Sequence, residues 1–192
     1  MFAPFPALTF SALVRQIETQ LRRHDMILCS HAVVGAALAS FLPSHPAAAF
    51  VVGFASHFVI DAIPHWDYPI QSHSVNPNIA APIVFDRAPV RDAITIGSDS
   101  LFGVAAALYL FSSSASLWAI LLGAIGAILP DPLQFVHGRW PYEPLVTLQR
   151  FHRWIHTDRR IRDASLGVFT QAAFVALVVV LTAAIHSGGF DW

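Results

Sequence analysis

In the stretch "FASHFVIDAIPHWDY" (54–68), His57 and Asp61 stand four residues apart inside an otherwise apolar run, and Pro64, His65 and Asp67 follow at once. On a helix that spacing turns both side chains to one face. Imidazole and carboxylate are the usual ligands of zinc and related divalent metals where thiolates are absent. The single cysteine, Cys29, excludes an intramolecular disulfide and any multi-cysteine zinc site. His152 and His156 form a second pair four apart, His31 lies early in the first apolar run, Asp99 lies in the third, and Asp131 follows the fourth in "AILPDPLQF". The candidate metal ligands are therefore His31, His57, Asp61, His65, Asp99, His152 and His156. Asp67 and Asp131 are the candidates for a general base or for orienting a ligand. A bound cation would also explain an aspartate in an oily segment, because desolvation disfavours a carboxylate charge and a cation restores it.

Most of these residues have a plainer reading as well. His57–Asp61 suits a hydrogen-bonded pair between helices, Asp99 could bond its neighbouring serines, and Asp131 could end a helix before Pro132. His152 and His156 could flank Trp154 at a membrane interface. His24, His45, His73, His137 and His186 read as loop or helix-end residues.

The elements that position these groups follow from composition. The chain has 192 residues, 55% hydrophobic and 12% charged, with a mean hydropathy of +0.57. A soluble domain carries about a quarter charged residues, so lipid is expected to replace water over much of the surface. Five apolar runs, 26–42, 47–63, 93–111, 115–129 and 164–185, are dense in glycine and alanine, as close helix packing in lipid requires. All eleven basic residues are arginines, and none falls in "PSHP", "SSSA" or the tail "HSGGFDW". Five crossings place every arginine on one side, which the positive-inside tendency makes cytoplasmic, with the N-terminus in and the C-terminus out. The same topology gathers the histidines and aspartates at one membrane depth, where ionisable groups are functional by default.

The expected fold is all-α: a polytopic membrane protein of about five transmembrane helices with interfacial amphipathic helices. Two segments suit the latter role, "FSALVRQIETQLRR" and "PLVTLQRFHRWIHTD". Residues 1–25 read as an amphipathic arm, or as an extension upstream of a start at Met26, and residues 26–192 as a single transmembrane domain. No basic, aromatic-laced patch points to nucleic acid.

An early H-x-x-x-G (His31, Gly35), a helix ending in D-x-[IL]-P-[HD]-x-D (Asp61 to Asp67) and a later H-R-x-x-H-[TS] (His152, Arg153, His156, Thr157) together resemble the YdjM-like family of bacterial inner-membrane proteins. Those proteins are described as membrane-bound, metal-dependent hydrolases. The resemblance implies a multi-pass protein of the bacterial inner membrane whose site lies on His31, Asp61, Asp67, His152 and His156. This chain departs from the pattern at His65 and Tyr68, where an aspartate and a histidine are expected, and at Trp154, which replaces a glycine. "LPDPLQF" also lacks a second carboxylate. The expected activity is hydrolysis assisted by a divalent metal, zinc first and manganese or iron otherwise, on a lipid or another membrane-associated ester. The rival readings are a proton or metal-ion conduit and a structural protein with a vestigial site. A conduit needs polar groups through the whole thickness, and "VAAALYLF" and "VALVVVLTAA" are nearly free of them.

Overall fold

The computed structural model describes residues 24–69, 87–114, 116–156, 161 and 163–188. The arm before residue 24 and the connection 70–86 lie outside the described residues. In order, the elements are β1 His24–Met26, α1 Leu28–Ala39, α2 Pro46–Asp61, β2 Asp67–Pro69, α3 Arg87–Phe111, α4 Leu117–Ile128, α5 Pro130–Arg139, α6 Leu145–Ile155 and α7 Ala164–Ser187. The described residues are all-helical apart from a short antiparallel ladder, in which Met26 of β1 lies opposite Asp67 of β2.

α1 is the central helix. Its alanines, valines and glycine are apolar all round, so it must be covered on every side. Of its twelve residues only Cys29 and Leu38 escape full burial, and α2, α3, α4 and α7 all pack on it. α2 opens with Pro46 in its first turn, where the missing N–H leaves no bond unmade, and runs back beside α1. A third helix joins them at very short range. A Cβ built on Gly35 would lie 2.6 Å from the Gly123 carbonyl oxygen and 2.5 Å from the Ala127 Cβ. One on Gly53 would also run into the Gly123 carbonyl. No larger residue lets the α1, α2 and α4 backbones meet this closely, which is the packing expected where lipid supplies no hydrophobic drive between helices.

Among the described residues, two helices are long and apolar enough to cross a membrane, Val90–Phe111 within α3 and Ala164–Ser187, α7. They expose Leu101, Phe102, Tyr109, Phe169 and Val180 on their outer faces. α4 and α5 together form a third such unit, bent by 48° between them. α1 and α2 are apolar but have 12 and 16 residues, about 18 and 24 Å at 1.5 Å per residue, against a hydrocarbon core of about 30 Å. Of the five or so spans expected, two, or three with the bent pair, are long and apolar enough by themselves among the described residues. An apolar run registers burial in protein as well as in lipid. The run 26–42 gives its start to β1 and the helix cap, and its end to a turn.

The later elements follow local signals. α6 starts after Pro144 as its sequence suggests. α7 starts at Asp163, whose carboxylate accepts a hydrogen bond from the Leu166 amide at 2.8 Å. Asp131 does not end a helix. It stands in the first turn of α5, where the helix dipole favours an anion.

Candidate metal centre

His57 and Asp61 leave α2 on one face and meet Asp131 of α5 and His152 of α6. All four are buried, with 0, 2, 7 and 3% of their surface exposed, and one ligand atom from each lies within 4.8 Å of the others. The bend after α4 creates the first anchor. Pro130 and Pro132 have no N–H to give to the carbonyls four residues earlier. The Ala127 carbonyl, which in an unbroken helix would accept from the Asp131 amide, accepts from His57 Nδ1 at 2.8 Å. A carbonyl only accepts, so the proton is on Nδ1 and the Nε2 lone pair of a neutral imidazole faces inward. There Nε2 lies 3.2 Å from Asp61 Oδ2, 3.3 Å from His152 Nε2 and 3.4 Å from Asp131 Oδ1.

Of the other members, Asp131 is held from outside the cluster and His152 from within it. His152 Nε2 lies 2.6 Å from Asp61 Oδ2 and 3.8 Å from Asp131 Oδ1, and its buried Nδ1 makes no hydrogen bond. The Gln134 side-chain amide donates to Asp131 Oδ1 at 2.9 Å. His31, fully buried on α1, stacks on the His57 ring at 4.3 Å, with Nε2 3.4 Å from Asp61 Oδ1. Neither of its ring nitrogens makes a hydrogen bond.

The spacing tests whether an ion fits. Bonds of about 2.0–2.2 Å in a tetrahedron put neighbouring ligand atoms about 3.3–3.6 Å apart. Three of the separations, 3.2, 3.3 and 3.4 Å, lie at or just below that band, and the fourth, 3.8 Å, lies just above it. The exception is the 2.6 Å His152–Asp61 hydrogen bond. Two buried carboxylates would each cost several kcal/mol without compensation. This buried His/Asp group can hold a divalent metal ion, with His57 already oriented by a backbone carbonyl in the manner of metal-ligating histidines.

The remaining candidates divide. His65 and His156 stand beside Asp61 and form with it a second group able to hold an ion. Asp99 is elsewhere: its Oδ2 accepts from the Cys29 amide at 3.2 Å. It thereby caps the first turn of α1, which has Ile27 at its own N-cap. The neighbouring serines do not bond it, since Ser98 and Ser100 donate to the Thr95 and Ile96 carbonyls. Asp67 lies in β2, and its side chain is outside the described ones. The sequence reading missed Gln134, although a residue three positions after Asp131 shares its helical face. It also missed Gln171, whose amide holds the Trp66 carbonyl at 2.5 Å beside the site. Comparisons with protein-family models, curated proteins and solved structures find no match to this chain.

Proposed function

We propose that this chain is a membrane-bound metal-dependent hydrolase of the YdjM-like kind, acting on an ester at the membrane surface. The carrying observation is the convergence of His57 Nε2 and His152 Nε2 on two buried carboxylates. His57, His152 and Asp61 would hold the ion, leaving a position open as catalytic sites do. Zinc suits this nitrogen and oxygen donor set best, with manganese or iron as alternatives. Such an ion lowers the pKa of bound water and polarises a carbonyl or phosphoryl oxygen. Asp131, steadied by Gln134, takes the proton from the attacking water as its oxygen bonds to the ester centre. The ester bond to the alcohol oxygen then breaks, that oxygen receives the proton, and an acid and an alcohol leave.

The substrate class rests on α6. Its exposed side carries Phe151 and Trp154, and its buried side carries Gln149 and His152. Phe151 and Trp154 share that exposed side with Arg150 and Arg153, the aromatic and basic mixture of a helix lying at the head-group level, which suits a lipid ester entering beside the site. Arg139, Arg150 and Arg153 lie on the segments around this end of the fold, so we assign it to the cytoplasmic face of a bacterial inner membrane. The chain then crosses five times, N-terminus in and C-terminus out, with α1, α2 and the α4–α5 unit completing the set begun by α3 and α7.

The test is metal content of the detergent-purified chain beside a His57→Ala/Asp61→Ala variant, with hydrolysis of lipid esters in mixed micelles. Bound metal and hydrolysis, both lost in the variant, support the reading. Neither metal nor hydrolysis in the intact chain sinks it.

A further inference from the structure

We infer that the site is dinuclear: a second divalent cation binds to Asp61, His65 and His156, with the Asp61 carboxylate bridging it to the first. This rests on the metal reading above and extends it. Asp61 belongs to both groups whose ligand atoms fall within 4.8 Å of one another. Its two oxygens face different ways, Oδ2 towards His57 and His152 and Oδ1 towards His31, so an oxygen remains beside the one that meets the first group.

The second group is built as the first is. His65 Nδ1 donates to the Ile63 carbonyl at 2.6 Å, as His57 Nδ1 does to Ala127. Each group thus contains a buried histidine whose Nδ1 proton is committed to the backbone, leaving Nε2 to ligate. The segment carrying His65 is tied on both sides: its carbonyl accepts from the Ile161 amide at 3.0 Å, and the next carbonyl, of Trp66, accepts from Gln171. Gly167 presses directly against Trp66, where a Cβ would clash with the indole side chain. His156 ends α6 with its ring centroid 5.0 Å from that of His65. The fully buried His31, whose ring nitrogens make no hydrogen bond, lies 3.4 Å from Asp61 Oδ1 and supplies one further donor at the bridge.

A bridged pair of cations narrows the substrate class. Two ions roughly 3.5–4 Å apart stabilise both the attacking and the leaving oxygen of an in-line displacement, an arrangement common in enzymes that cleave phosphate esters. The inferred pair therefore favours a phosphoester over a carboxylic ester.

The experiment counts ions. Chelator-stripped protein in detergent is titrated with manganese, excess metal is removed, and bound metal is measured by elemental analysis and by electron paramagnetic resonance. Two ions per chain with the broadened spectrum of a coupled pair are expected, falling to one with a six-line spectrum in His65→Ala/His156→Ala. One ion in the unaltered chain overturns the bridge but leaves the metal reading standing. None overturns both. Two ions that persist in the double variant overturn the assignment of His65 and His156. The spectrum of the unaltered chain is informative even if the variant does not fold.

Discussion

Gly53 stands one helical turn before His57, and the contact it makes is the one that sets the ligand's position. A methyl group there would run into the Gly123 carbonyl, a backbone atom that cannot rotate away. α2 and α4 must then separate, and the His57–Ala127 bond of 2.8 Å lengthens with them. Overpacking of this kind costs about 1–3 kcal/mol, and loss of the hydrogen bond adds about 1. Gly53→Ala should therefore destabilise the fold by about 2–4 kcal/mol, roughly 5–15 °C in melting temperature for a chain of this size. Metal affinity should drop about 10–100-fold, as when the support of a ligand histidine is lost. Gly97→Ala is the matched control. A Cβ at Gly97 meets nothing within 4 Å, so alanine should gain about 0.5–1 kcal/mol from helix propensity alone. Circular dichroism melts in detergent, with and without added zinc, read both effects. If Gly53→Ala melted with the unaltered chain and bound zinc as tightly, close backbone packing would not be what holds His57.

Other consequences are separable. Gln134→Ala removes the hydrogen bond to Asp131 and should lower catalytic rate about 10–100-fold while leaving bound metal nearly unchanged; an equal loss of metal would make Asp131 a ligand rather than a base. A chain whose only tryptophan is Trp154, 78% exposed on the outer face of α6, should be quenched in vesicles by lipids brominated near the head group. Strong quenching by aqueous acrylamide would instead put that face in water. Asp163 is held below the ordinary carboxylate range by hydrogen bonds from the Ser165 hydroxyl and the Leu166 amide. Its cap is then fully in place above the unfolded value of about 4 and is lost as pH falls through the lower folded value. The Leu166 amide resonance should report this loss on acidification, and Asp163→Asn should remove the pH dependence while keeping the cap. A resonance indifferent to pH in the unaltered chain would contradict the assignment.

What could be read in advance was local. The spacing of four in His57–Asp61 and His152–His156, the proline ahead of α6 and the long apolar runs of α3 and α7 all have signatures within one turn or one segment. The β1–β2 ladder left no comparable mark, since three residues on each side carry no periodicity. Asp99 misled because its partner, the Cys29 amide, is 70 positions away, and only tertiary packing could reveal a cap supplied by a neighbouring helix.

The instructive case is "LPDPLQF". Its prolines read as a stop after the fourth run, because proline cannot continue an α-helical hydrogen-bond ladder. Proline is tolerated in a first turn, and the same two residues therefore start α5 at 48° to α4. That single bend does three things at once. It leaves the Ala127 carbonyl for His57, turns Asp131 into the cluster, and sets Gln134 one turn on to steady it. The glycines at 123 and 126 then decide whether α4 comes near enough for the arrangement to close. The chemistry of the site was written in side chains, but its assembly depends on a backbone carbonyl freed where the helix bends and reached only across glycine contacts. A pattern of side-chain types gives no direct sign of either.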